Sequence, residues 1–243
     1  MFNFQRLKVP FIALELAQAV LADHIPHWEA GTVSHPTKCM LDALYCFQQK
    51  PDHESMVLSV GSHVWLDGRA RVLLVSGESG REENRNIPSY SGGKRWLQLL
   101  SATGVPSLSV NDIRTPARGA IMVPLPGTSD ESHTSREARA LIQFAHDHGL
   151  SEVVITAAPF HQLRVYLAVV AAIDDLGYAI RVYNKPGLTS SWSEEVQYSQ
   201  GKKTGERMRL LEIEWARILR GLDSGEMASI PRGISYMMER NRA

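Results

Sequence analysis

From residue 42 to residue 182 the chain alternates short apolar runs with stretches of helical period, and no other feature limits the fold as much. Apolar runs of four to five residues fall at 43–47, 71–75, 120–123, 152–155 and 178–182, with 107–110 as an alternative third strand. Between them, residues 54–66, 92–102, 137–148 and 161–176 carry apolar side chains at helical spacing. Strands that alternate with helices at this spacing form right-handed crossovers and a parallel sheet covered on both faces. The expected fold is therefore α/β: a doubly wound, mostly parallel sheet with helices on both faces.

Extra helices are expected at both ends. Residues 11–22 have a helical period with Pro10 at the first helical position, and 203–220 and 230–240 repeat that pattern. After Pro186 no further strand is expected. The natural divisions are an extension at 1–37, an α/β core at 38–187 and a C-terminal helical segment at 188–243 packing on the core.

Composition excludes several classes. The 243 residues carry 26 basic and 26 acidic side chains, a formal net charge of zero. Such a balance gives no long-range field for nucleic acid or an acidic membrane, although a local basic pocket is compatible with it. Two cysteines, Cys39 and Cys46, are too few for a disulfide framework, and Cys46 reads as a buried thiol in a reducing compartment. No apolar run is long enough to span a bilayer, and Glu15 and Gln18 interrupt what would be the core of a signal peptide. The expectation is a cytoplasmic protein, a monomer or homodimer. The other histidines form no recognisable metal motif, so no metal is expected.

In an open parallel sheet the ligand crevice lies beyond the carboxyl ends of the strands. Three loops at such ends carry chemistry. Ser76-Gly77-Glu78-Ser79-Gly80 follows the second strand; glycines expose backbone N–H groups to an anion, or simply make a flexible turn. In Ser132-His133-Thr134-Ser135-Arg136-Glu137, Thr134 and Glu137 have capping-box spacing. Arg136 would oppose the dipole of the helix it opens, a conflict that a bound anion or solvent exposure relieves. In Thr156-Ala157-Ala158-Pro159-Phe160-His161-Gln162-Leu163-Arg164, a strand runs into a helix start. His161 and Arg164 then share one helix face, where the dipole keeps the imidazole neutral as a base and the guanidinium clamps a phosphate or carboxylate. A capping histidine beside a surface arginine is the plain alternative.

These segments, in this order, resemble the YdcF/SanA/ElyC-like family (DUF218) over roughly residues 42–187. Asp42-Ala43-Leu44 resembles the family's opening strand, and Val72 to Gly77 its "SGG" strand. Gly104-Val105-Pro106 resembles its "lGvP" segment, 133–138 its "NTxENA" segment, and Thr156 to Arg164 its "TSxxHxxRA" segment, the most specific match. The chain departs from the pattern at Gln48-Gln49-Lys50-Pro51, where the family has a Gly-rich turn, at Ser91-Gly92-Gly93 in place of "SEA", and at His133 and Arg136. The resemblance implies a Rossmann-like fold, S-adenosylmethionine binding for some members, and envelope or murein-related roles for anchored ones.

The sequence thus nominates His161 as a catalytic residue and Glu137 as a further candidate. Ser76, Gly77, Glu78, Ser79, Ser91, Thr134, Arg136, Thr156 and Arg164 are the candidate ligand-binding residues. The expected partner is an anionic or nucleotide-like small molecule, S-adenosylmethionine among the options. An enzyme acting on lipid-linked or glycan precursors with a pyrophosphate, and a non-catalytic interaction module, are the alternatives.

Overall fold

A computed structural model describes residues 11–23, 25, 41–77, 92–126, 132–188, 191–198 and 203–242. Among these, five parallel strands form one sheet: β1 (Leu41–Cys46), β2 (Ala70–Ser76), β3 (Gly119–Val123), β4 (Glu152–Thr156) and β5 (Arg181–Asn184), in the order β3-β2-β1-β4-β5. The chain winds outward from β1 to β3, crosses back, and winds the other way through β4 and β5. This is the doubly wound arrangement expected from the alternation.

The two windings place helices on opposite faces, and the side chains of β1 record it. Ala43 and Tyr45 join one buried cluster with residues of α4 (His133–Asp147) and α5 (Gln162–Leu176). Leu44 and Cys46 join a second cluster with residues of α2 (Pro51–Leu66) and α3 (Gly92–Ala102). Alternate residues face opposite sides of a strand, so a strand covered twice must be apolar throughout, as 43–47 is. Cys46 is free and buried, and burial pushes its thiol pKa upward.

The helix α5 has the longest uncharged apolar run of the chain, and residues 165–170 are all buried. It is closed by Gly177 in the left-handed conformation, φ 69°, which a glycine adopts without a Cβ clash. The terminal helices complete its burial. Ala13, Leu16 and Val20 of α1 (Phe11–Leu21), Ile218 of α6 (Leu210–Ser224), and Ile230 and Tyr236 of α7 (Ile230–Arg240) share the α4–α5 core. Arg240 of α7 donates to both carboxylate oxygens of Asp23 at 2.7 Å, and Asp23 accepts from the backbone N–H of Asn184. Asp23, just after α1, and the end of α7 are thereby tied to the edge strand β5.

The structure differs from the sequence reading in several places, among them the starts of α2 and α4, which lie at Pro51 and His133 rather than 54 and 137. Residues 107–110 contribute only one isolated bridge, Ser107 to Ala120, followed by a 3-10 turn at Val110–Arg114. The last strand of the sheet lies at 181–184 rather than 178–182. A strand pair absent from the expectation, β6 (Glu195–Tyr198) and β7 (Lys203–Glu206), forms an antiparallel hairpin beyond Pro186. The helix expected at 203–220 therefore starts only at Leu210. β6 alternates only over the four residues Glu195-Val196-Gln197-Tyr198, and β7 (Lys203-Thr204-Gly205-Glu206) has no apolar alternation, so neither announces a strand on its own. No helix among the described residues is long and apolar enough to cross a membrane.

Candidate functional site

The strand order reverses between β1 and β4, and a sheet of this type opens a crevice at that point, outside the strand ends. A cleft of about 790 Å³ lies there. Its walls are the turn after β1 (Gln48, Gln49, Lys50), the first turn of α4, the first turn of α5, and one face of α6. The first turns of α2, α4 and α5 thus meet at one opening, each presenting the positive end of a helix dipole.

The two sequence-nominated groups of the β4–α5 loop do line this cleft, and both are tied to a carboxylate that the sequence reading does not single out. Glu214 of α6 accepts from Arg164 Nε at 2.5 Å and from Arg217 Nη1 at 2.6 Å. His161 Nδ1 lies 2.8 Å from its Oε2. Arg164 also donates from Nη1 to Thr134 Oγ1 at 2.7 Å, which joins α4 to the cluster. Burial alone would raise the Glu214 carboxyl, but Arg164, then His161 and Arg217, outweigh it and hold the group well below the usual carboxylate range. Glu214 is therefore ionised and can only accept, so His161 Nδ1 carries the proton it donates. Burial, reinforced by Arg164, lowers the His161 pKa despite the nearby carboxylate. The neutral ring then has its lone pair on Nε2, for which no protein partner exists among the described residues. A neutral imidazole with an oriented lone pair is a general base.

Glu137 is buried at the same opening. Its Oε1 accepts from the Tyr45 hydroxyl at 3.1 Å and the Gln48 backbone N–H at 2.9 Å, and its Oε2 lies 3.3 Å from His133 Nδ1. It is not half of a capping box. The helix α4 is capped two residues earlier than expected, by Ser132, whose side chain accepts from Ser135 N. That shift frees Thr134 for Arg164 and Glu137 for the β1 turn. Ser76 hydrogen-bonds the Tyr45 hydroxyl, which links the end of β2 to Glu137.

Ser76 and Gly77 do not themselves line the cleft. β2 sits one strand away from the reversal point, and Gly77 is pressed against β3: a Cβ there would stand 2.6 Å from the Val123 carbonyl oxygen. The glycine is needed for close strand packing, and its N–H donates to that same oxygen at 2.7 Å. Arg136 is buried, which removes solvent exposure as the relief of its conflict with the dipole, and it is not among the lining residues. Thr156 is fully buried at the end of β4, its hydroxyl without a partner among the described residues. Glu78, Ser79 and Ser91 lie outside the described residues.

Among the cleft groups that sequence reasoning missed, three are chemically distinctive and carry buried ionisable groups. Lys50, at the N-cap of α2, has its ammonium buried with no hydrogen-bond partner among the described residues. Burial and then Arg217 lower its pKa to about 8. His53, one turn into α2, is buried and accepts at Nδ1 from Arg207 Nη1 at 2.9 Å; Arg207 in turn donates to Glu194 at 2.6 Å. For both, the available signal is the place of the turn directly after the central strand β1. Glu214, the third, has a signal too: it falls on the buried stripe of α6 with Leu210, Ile218 and Gly221, a charge where an apolar residue belongs.

Four basic residues (Lys50, Arg164, Arg217, Arg220) and four acidic ones (Glu137, Glu214, Asp223, Glu226) line the cleft. Phe160, Leu210, Ile213 and Met227 give it an apolar wall. Among the described residues no group of three or more His, Cys, Asp or Glu is placed to hold a metal ion. Compared with protein-family models, curated proteins and solved structures, the chain finds no match.

Proposed function

We propose that the chain binds a phosphorylated or nucleotide-like small molecule in the cleft between β1 and β4, and acts on it with His161 as general base. The observation that carries this reading is the pairing of an oriented base with an unsatisfied cation. His161 is fixed with Nε2 as acceptor by Glu214, while Lys50 keeps a buried ammonium without a protein acceptor among the described residues. A buried cation is unfavourable unless paired, and an anionic ligand supplies the pair. The apolar wall of Phe160, Leu210, Ile213 and Met227 suits a flat base or other apolar moiety beside the anion, and the volume falls in the usual range for small-molecule sites.

Arg164 and Arg217 are held by Glu214, so Lys50 and Arg220 are the cations with most to gain from the ligand. S-adenosylmethionine fits the same features, with its adenine on the apolar wall and its carboxylate at Lys50. Its presence would supply an activated methyl group, and binding alone does not assign a transfer. The resemblance to the YdcF/SanA/ElyC-like family, most specific in the residues of the β4–α5 loop, supports a ligand at this end of the sheet.

A thermal-shift screen tests the reading. ATP, S-adenosylmethionine and sugar phosphates are compared on the wild-type chain and on Lys50→Met. A ligand that binds the folded state raises Tm by mass action. At least one of these should raise the wild-type Tm and do so much less in the variant. No shift from any of them at saturating concentration overturns the proposal.

A further inference from the structure

Of the three histidines that line the cleft, His53 and His161 are fixed by their surroundings in opposite tautomers. A guanidinium has only donors to offer, so the 2.9 Å contact from Arg207 Nη1 makes His53 Nδ1 an acceptor. The proton of the neutral His53 ring is then on Nε2. His161 is the reverse, with Nδ1–H given to Glu214 and the lone pair on Nε2. Both rings line the same cleft, and the His53 ring meets Phe160, the residue before His161, edge-on with centroids 4.9 Å apart.

We infer that His53 is a fixed hydrogen-bond donor facing the base His161, that Arg207 is the positioning residue that sets its tautomer, and that the ligand is an anion bearing a carbonyl group. This inference rests on the cleft's reading as an anion site and adds the chemistry at its reacting end. A base on one side and a neutral donor on the other match a carbonyl whose oxygen gains charge as a neighbouring carbon loses a proton. His161 Nε2 takes the proton from that carbon. The C–H electron pair becomes a C=C bond, and the carbonyl π pair moves to oxygen, where the His53 N–H hydrogen-bonds to the developing negative charge. Return of the proton from His161 restores the starting bonds and the neutral imidazole.

The donor stays neutral because of everything packed around it. Burial lowers the His53 pKa most, to about 4, followed by Arg207. Lys50 of the β1 turn lowers it further, while Asp52 of α2 and Glu194 beside the hairpin raise it. The hairpin itself is held in place by the segment before it: Gly187 N donates to the Ala157 carbonyl and Leu188 N to the Met56 carbonyl. That crossing carries Glu194 and Arg207 over α2. What the β6–β7 hairpin contributes here is placement: it delivers Arg207 to His53.

Long-range proton–nitrogen NMR of histidine-labelled protein reads both tautomers directly, with signals assigned from His53→Asn and His161→Asn. The wild-type chain should show His53 as Nε2–H and His161 as Nδ1–H across the neutral range. Arg207→Lys, which still donates, should keep the His53 pattern, and Arg207→Met should lose it. Phosphoglycolate, which has both a phosphate and a carboxylate oxygen, should shift the His53 Nε2 signal, whereas inorganic phosphate should perturb only the Lys50 side. His53 found as Nδ1–H, or charged at neutral pH, overturns the inference. Binding of both anions with His53 unmoved overturns the donor role while leaving the anion site standing. Binding of neither anion removes the anion site and the inference together.

Discussion

Replacing Glu214 by glutamine tests whether α6 belongs to the site or only covers it. The side chain keeps its shape and loses its charge. Each of the two carboxylate oxygens accepts from arginine, Oε2 from Arg164 Nε and Oε1 from Arg217 Nη1. Whichever way the amide turns, its NH₂ therefore faces a guanidinium donor. Arg217 is 35% exposed and can swing into water, whereas Arg164 is 12% exposed and cannot. The amide should turn its NH₂ toward Arg217 and keep its oxygen on Arg164 and His161. Hydrogen bonds to a charged partner contribute about 1 kcal/mol more than neutral ones, and a buried cation left without its counterion adds to the loss. Discounting the exposed Arg217 pair, the expected destabilisation is about 3 kcal/mol. Urea unfolding near neutral pH measures it, with the m-value checked for constancy. A cycle with Arg164→Met should show a coupling of about 2 kcal/mol between the two sites. A loss below about 1 kcal/mol with negligible coupling would show that the Glu214 cluster is not a buried ionic unit.

Other expectations follow from the same geometry. Lowering the His53 pKa from 6.5 to about 4 means that the unfolded chain binds a proton the folded chain refuses, at ~1.4 kcal/mol per pH unit. Stability should be full above pH 6.5 and fall by about 3 kcal/mol as pH drops to about 4; His53→Asn, which keeps an acceptor for Arg207, should flatten that slope in pH-dependent urea melts. Anion affinity should hold below pH 8 and weaken as pH rises through the Lys50 pKa of about 8, since a bound anion favours the charged amine; calorimetric titration with inorganic phosphate across that range measures it. Ser132→Ala should cost about 1 kcal/mol as loss of the α4 N-cap, by thermal or urea unfolding, while Thr134→Val should leave the cap intact and affect the Arg164 cluster instead.

The sheet is readable because each of its strands is apolar enough to be buried, and because the helices between them carry their own stop signals, Gly177 being one. The helices at 92–102 and 230–240 fall where their periodicity puts them. The hairpin is less readable: Glu195-Val196-Gln197-Tyr198 alternates over only four residues, and Lys203, Thr204, Gly205 and Glu206 have no alternation that separates a strand from a helix start. At the site, His161 and Arg164 are legible from position and chemistry together. Their partner Glu214 lies 50 residues or more further along the chain, and nothing local announces which helix returns to cover a cleft. The Ser76 loop misleads because a glycine–serine turn suits both an anion and tight packing. Only the strand order, which puts β2 one place from the reversal point, decides between them.

Crystals soaked with tungstate, a heavy tetrahedral anion located by its anomalous scattering, would put the anion site to the question in a single difference map. Tungstate should sit between the β1 turn and α6, within hydrogen-bond reach of Lys50 Nζ, with His161 still joined to Glu214 beside it. Anion density elsewhere on the molecule, with Lys50 engaged by a carboxylate of its own chain, would contradict the proposed ligand class.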